Sequence, residues 1–141
     1  MAARVDPYKN YNFRVEIDGI SVAGFSEVTG LSSEVEIIEY REGGDNLTRK
    51  LPGLKKFTNI ILKRGMSDSR ELYNWHRSVL QGVADRRNGS IILLDDTRAP
   101  IARWQFRNGF PQKFEGPRLN AKGNEVAIET LVICCEHLGL E

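Results

Sequence analysis

From Asn12 to Asp18 the chain alternates without a break, with Phe13, Val15 and Ile17 on one face and Arg14, Glu16 and Asp18 on the other. A period of two does not suit a helix, whose faces recur every 3.6 residues. It fits a strand with one side in a core and one in water. Asp18-Gly19 follows at once and supplies the positive φ angles of a tight hairpin turn. The expected return strand carries Ile20 and Val22, then changes parity to Ala23 and Phe25 across Gly24, the pattern of a bulge.

The same reading extends down the chain. Ser33–Tyr40 is an expected third strand, with Val35 and Ile37 opposing Glu34 and Glu36 and a parity switch at Ile38. A polar stretch, Arg41–Lys50, leads into Leu51-Pro52-Gly53. Phe57–Arg64 is apolar on both faces and reads as a central strand. One helix interrupts: Asp68 and Glu71 have capping-box spacing, and Leu72, Trp75, Val79 and Leu80 form a stripe that Gly82 ends. Beyond it, Ile91–Leu94 is a short apolar run, and Ala102, Trp104 and Phe106 alternate with Arg103, Gln105 and Arg107. Asn124–His137 is expected to be the longest strand, with Val126, Ile128, Val132 and Cys134 on one side. Arg87-Asn88-Gly89 and Gly116-Pro117 are expected turns. The sum is a mainly β domain with one α-helix, an antiparallel β-sandwich or partly open barrel. Its 141 residues suit a single domain, 1–141.

Composition excludes more than it identifies. Twenty Lys and Arg against nineteen Asp and Glu leave a net charge of +1, so no bulk field points to nucleic acid or a membrane. No run approaches the ~18 apolar residues of a membrane span. The opening Met1–Pro7 lacks the apolar run of a secretory signal, and the expectation is synthesis and assembly in the cytoplasm. The two cysteines, Cys134 and Cys135, are adjacent and point to opposite strand faces, so they are expected as reduced, buried thiols.

Catalytic sets are not evident, and no cofactor or metal is expected. His76 has no Cys or His partner at metal spacing, and the two cysteines near His137 alternate across a strand. Glu34 and Glu36 share one strand face, whereas glycosidase chemistry needs carboxylates facing each other across a cleft. Gly43-Gly44 precedes no helix, and Gly65 lacks the Lys-Ser/Thr of a phosphate loop. A small β-barrel nucleic-acid module would need a basic groove with stacking aromatics. Trp104 and Phe106 instead alternate with charge as core residues do.

Ordered segments over nearly the whole chain resemble the tail-tube (inner-tube) family of contractile phages and extracellular contractile injection systems, a family also found in tailocins. They are Tyr11–Gly19, Ala23–Leu31, Glu39–Gly44, Arg49–Gly53, Asn59–Gly65 and Leu119–Leu131. The resemblance implies a structural role: hexameric rings that stack into a hollow tube, driven through a target envelope by a contractile sheath. It implies as partners further copies of the chain, the sheath protein, baseplate or initiator and terminator proteins, and cargo or DNA in the lumen, with no stable membrane association before firing. A first-ring adaptor at the baseplate is the alternative within the same resemblance. The loop at about 39–53 is implied as an arm contacting neighbouring subunits, through Tyr40, Arg41, Glu42, Gly43, Gly44, Asp45, Asn46, Arg49 and Lys50. Cys134-Cys135 departs from the polar or small pair usual in the family at that place.

Overall fold

The structure is a computed structural model that describes residues 6–20, 24–44 and 46–141. Among the described residues, nine strands and one helix follow in the order β1 (Phe13–Ile17), β2 (Phe25–Thr29), β3 (Ser33–Tyr40), β4 (Arg49–Phe57), β5 (Ile60–Gly65), α1 (Glu71–Leu80), β6 (Arg87–Leu94), β7 (Pro100–Glu115), β8 (Ile128–Cys134) and β9 (His137–Leu140). All the pairings are antiparallel. Seven strands form one sheet: β1-β6-β7-β8-β5-β2 in order, with β9 also on β7. The sheet does not close, so β1 and β2 remain as edges. The expected mainly β fold with a single helix is therefore correct, as a curled open sheet.

Strand β7 organises the sheet. Its first half pairs with β6 and β9 and its second half with β8, so it belongs to both wings. Between the halves lie Asn108, at φ 53°, and Gly109. A Cβ on Gly109 would come within 2.8 Å of the Phe106 ring, and one on Gly89 within 2.5 Å. Two glycines thus make room for Phe106, which is fully buried. Around it pack Ile60, Leu62, Leu131, Ile133 and Leu138, with Leu72 and Trp75 from α1. The Trp75 indole N–H, which needs a partner once buried, donates to the Asp85 carbonyl at 2.8 Å.

Several expectations are corrected. Asp18-Gly19 does turn, with Gly19 at φ 74° and the Ile20 amide bonded to the Ile17 carbonyl at 3.0 Å. Among the described residues, however, no β1–β2 hairpin forms. β1 pairs with β6, and β2 with β5, because β6 offers a continuous buried row, Gly89–Ile92, that a short return strand cannot match. The parity change at Val22 and Ala23 lies outside the described residues. Asp68 does not cap the helix: Arg70 occupies the N-cap with no side-chain cap bond. Leu80 is exposed while His76 is buried with Leu72 and Trp75, so the buried stripe runs through His76 in place of Leu80; Gly82 follows at φ 90°. Arg87-Asn88-Gly89 opens β6 instead of forming a turn, and the longest strand is β7.

The face expected for the last strand is inverted. Glu129, Leu131 and Ile133 point to the core, while Val126 and Ile128 are exposed. Glu129 disguised that face, since it is buried only because Arg64 sits directly opposite it on β5 and bonds it. Cys134 and Cys135 are free and half-buried, less enclosed than expected.

Phe57–Arg64 is two strands and not one. Between them, the Thr58 hydroxyl donates to the Gly30 carbonyl at 2.7 Å, and the Asn59 amide to Gln112 Oε1 at 2.6 Å. Gly30 sits at φ 87°, and a Cβ there would lie 2.0 Å from the Asn59 carbonyl oxygen, so only glycine fits. At this crossing β2 runs on into β3 and β4 into β5. The β3–β4 hairpin is thus the β2–β5 ribbon prolonged beyond the sheet.

Candidate assembly surface

The prolonged ribbon is the most conspicuous surface of the chain. β3 and β4 form a two-stranded sheet of their own, paired from Ser33↔Phe57 to Tyr40↔Arg49 with a register shift between Val35 and Ile37. All eight residues of β3 are exposed. Apolar side chains stand out on both faces: Val35, Ile37 and Ile38 from β3, Leu51 and Leu54 from β4, and Leu47 from the tip, the last two more than 70% exposed. An isolated two-stranded hairpin is marginal in water. Contiguous exposed apolar surface on both its faces marks a contact site.

Charges frame these apolar residues. Glu36 and Lys56 pair at 3.0 Å, and the carboxylate raises the Lys56 pKa above its usual value, first by its hydrogen bond and then by its charge. Among the expected interface residues, Tyr40 ends β3, while Arg49 and Lys50 begin β4 opposite Tyr40 and Glu39. Arg41, Glu42, Gly43, Gly44 and Asn46 form the exposed tip, with Gly44 at φ 85°, and Asp45 lies outside the described residues. The structure brings these together at one end of the arm. Missed by the sequence reading was the arm's apolar shaft, Val35–Ile38 with Leu51 and Leu54. Its signal was present, since apolar residues on both faces of Ser33–Tyr40 require cover on both faces.

A second surface is the gap between the two sheet edges. β1 and β2 flank a cleft of about 630 Å³ lined by Val15, Ile17, Ile20, Phe25 and Leu94, with Arg14, Glu16 and Arg98 at its polar parts. Glu16 is held there by Arg14 at 3.2 Å and Arg103 at 3.8 Å.

The two histidines and the Asp95-Asp96 pair are engaged in local structure. His76 Nδ1 lies 3.1 Å from the Pro111 carbonyl, and its ring stacks on Phe114. His137 meets Phe57 edge-on. The Asp95 carboxylate binds its own turn, accepting from the Thr97 hydroxyl and from the Thr97 and Ala99 amides; these bonds, the hydroxyl's foremost, lower its pKa. Asp96 accepts from the Tyr11 hydroxyl at 2.7 Å and from Lys9 at 3.3 Å, and its pKa is lowered for that reason. Among the described residues, no cluster of three or more His, Cys, Asp or Glu could hold a metal ion.

Comparison with known proteins agrees with this geometry. A chain in the extended sheath-tube complex of PVC, an extracellular contractile injection system, is 27% identical, with a TM-score of 0.87 over 96% of this chain and 91% of that one. A chain in the PVC sheath/tube terminator structure is also 27% identical, with a TM-score of 0.90 over 99% of both. Hcp1 from Flavobacterium johnsoniae, at 14% identity and TM-score 0.56 over 90% of this chain and 94% of that one, shares the fold alone. No curated protein sequence matches. The profile of the T4-like virus tail tube protein gp19 family matches residues 9–139. The chain therefore belongs to the T4-like virus tail tube protein gp19 family.

Proposed function

We propose that this chain is the inner-tube subunit of a contractile injection system, a single domain spanning residues 1–141 with an arm that engages neighbouring copies. Six copies close a ring, and rings stack into a hollow tube. A sheath surrounds the tube, baseplate and terminator proteins bound its ends, and cargo or DNA occupies the lumen. The role is structural and not catalytic, and assembly takes place in the bacterial cytoplasm before the particle is released. The observation that carries the reading is the arm, apolar on both faces and exposed along the whole of β3. The relatives at 27% identity, taken from a sheath-tube complex and a tube terminator, support the same partners. The interface residues are Tyr40–Asn46 with Arg49 and Lys50, where the mixed charges set register more than affinity.

Shortening the tip between Glu42 and Lys50 tests this. Circular dichroism and thermal melting should stay near wild type, because the core lies in the seven-stranded sheet and α1. Electron microscopy should show single rings, at six times the 16.0 kDa subunit mass, or monomers, in place of tubes. Normal tubes from the shortened chain would refute the role of the arm, and a collapsed fold would assign the arm to the subunit's own core.

A further inference from the structure

The cleft between the sheet edges is built along one strand. All five residues of β1 line it, Phe13, Val15 and Ile17 from the dry face and Arg14 and Glu16 from the wet one. A cavity over one face of a strand meets every second side chain, so one that meets them all runs beside the strand's edge. That edge is open, since β1 pairs with β6 alone. The Leu94 amide bonds to the Asn12 carbonyl at 2.9 Å and the Asp18 amide to the Asn88 carbonyl at 3.0 Å. Alternation along an antiparallel ladder then turns the backbone groups of Arg14 and Glu16 toward β6 and those of Phe13 and Val15 toward the cleft. The Ile17 carbonyl, in the same phase, already takes the Ile20 amide on that side.

We infer that β1 and its cleft form a receptor for the extended C-terminal tail of another protein, which adds antiparallel to β1 as one more strand. Main-chain bonds to Phe13 and Val15 hold such a tail, and pockets beside the strand choose its side chains. Val15, Ile17, Phe25 and Leu94 give the cleft an apolar wall. The tail therefore carries apolar residues at alternate positions, and about five residues, at ~3.4 Å each, match the length of β1. The site lies apart from the arm and does not depend on the arm's role.

The charges at the two ends of the cleft set the direction. The Asn12 side-chain amide donates to the Asp95 carbonyl at 3.4 Å, which puts the Asp95–Ala99 turn, and Arg98 within it, beside the start of β1. Arg98 lines the cleft, and its guanidinium has no partner among the described residues. The carboxylates nearest in sequence are committed, Asp95 to Thr97 and Ala99 and Asp96 to Tyr11 and Lys9. Arg98 stands at φ 63°, a conformation that glycine or asparagine adopts at less cost, so the turn accepts strain where it presents a guanidinium. At the other end of β1 the cleft is lined by Asp18. An antiparallel tail sets its terminal carboxylate against Arg98, whose guanidinium can bond both oxygens, and its upstream side against Asp18. A parallel tail would bring its carboxylate to Asp18, which repels it.

Calorimetric titration of the full chain, diluted below tube formation, tests the site. The probe is a six-residue peptide: lysine, then alternating valine and threonine, with a free C-terminal carboxylate. It should bind, and amidating its C-terminus should weaken binding at least tenfold. In Arg98→Gln the acid and the amide should bind within twofold of each other. Methylating the backbone nitrogens of the valines or of the threonines should cost at least tenfold in one case and less than threefold in the other, because alternate amides face β1. No heat from the acid peptide at millimolar concentration, equal binding of acid and amide by wild type, or equal binding of the two methylated peptides would overturn the inference. Binding by dispersed subunits that assembled tubes lose would give the cleft to a second copy and overturn it too. None of these results bears on the arm, which is tested by its own shortening.

Discussion

Arg64 and Glu129 face each other across β5 and β8, at 3% and 4% exposure, with core residues Leu62 and Leu131 as their neighbours. The guanidinium also donates to the Ser69 carbonyl at 3.1 Å, which ties down the chain just before α1. Glu129→Leu removes the carboxylate and leaves a buried cation with one acceptor. Breaking a buried pair from one side costs about 3–5 kcal/mol. In a chain of this size that lowers the melting temperature by roughly 10–15 °C. Arg64→Met strands the carboxylate instead, with a comparable loss at neutral pH. The double variant Arg64→Met/Glu129→Leu replaces two charges with apolar side chains of similar reach and should return to within about 1 kcal/mol of wild type. Urea unfolding is the assay, read in the tip-shortened background so that assembly does not add to apparent stability. The four proteins form a double-mutant cycle. Losses below about 1 kcal/mol in each single variant, adding in the double, would refute the reasoning and place both groups in contact with water.

Trp75→Ala should destabilise the subunit by about 3–5 kcal/mol, since it empties a fully buried site and leaves the Asp85 carbonyl without its indole donor; an unchanged melt would contradict the packing of α1. Cys134→Ser with Cys135→Val should leave assembly intact under reducing conditions. Burial raises the Cys135 pKa above the ordinary 9.0, so its labelling by a thiol reagent should be slow at pH 7 and quicken only in strong alkali; fast labelling at pH 7 would contradict that environment. The folded-state pKa of Asp96 is lowered, so its bonds to Tyr11 and Lys9 stabilise the fold above the ordinary carboxylate value of 3.8 and are lost as pH falls through the folded value. Asp96→Asn should therefore flatten the acid limb of the stability profile, and an unaltered limb would show that the bonds do not persist in solution.

The sequence spoke clearly where one face of a strand is dry and the other wet. Phe13–Ile17 alternates in the structure as in the sequence, and Gly82 ends the helix at a positive φ. It misled where periodicity is two-sided. In β8 both faces are largely apolar, and the one charge that seemed to mark the wet face, Glu129, is buried against Arg64, a residue 65 positions away that no local pattern reveals. The Asp18-Gly19 turn was legible, but the ladder partner of β1 was not, since pairing is settled by what β6 buries. In the arm, the polar tip was legible from composition as a loop. The apolar shaft was read only as a third strand, because a strand awaiting a neighbour's cover has the same pattern as one covered by its own chain.

The continuity of β2 with β3 and of β4 with β5 also has a mechanical side. Ladder hydrogen bonds lie perpendicular to their strands, so tension drawn from the tip toward the sheet runs along two covalent backbones in parallel and does not pull the ladder open. At the root, the Thr58 hydroxyl and the close approach of Gly30 to Asn59 fasten the two backbones to each other where they enter the sheet. Force on one strand is thereby shared with its mate before it reaches β8, and the ribbon behaves as a tether that cannot unzip from its free end.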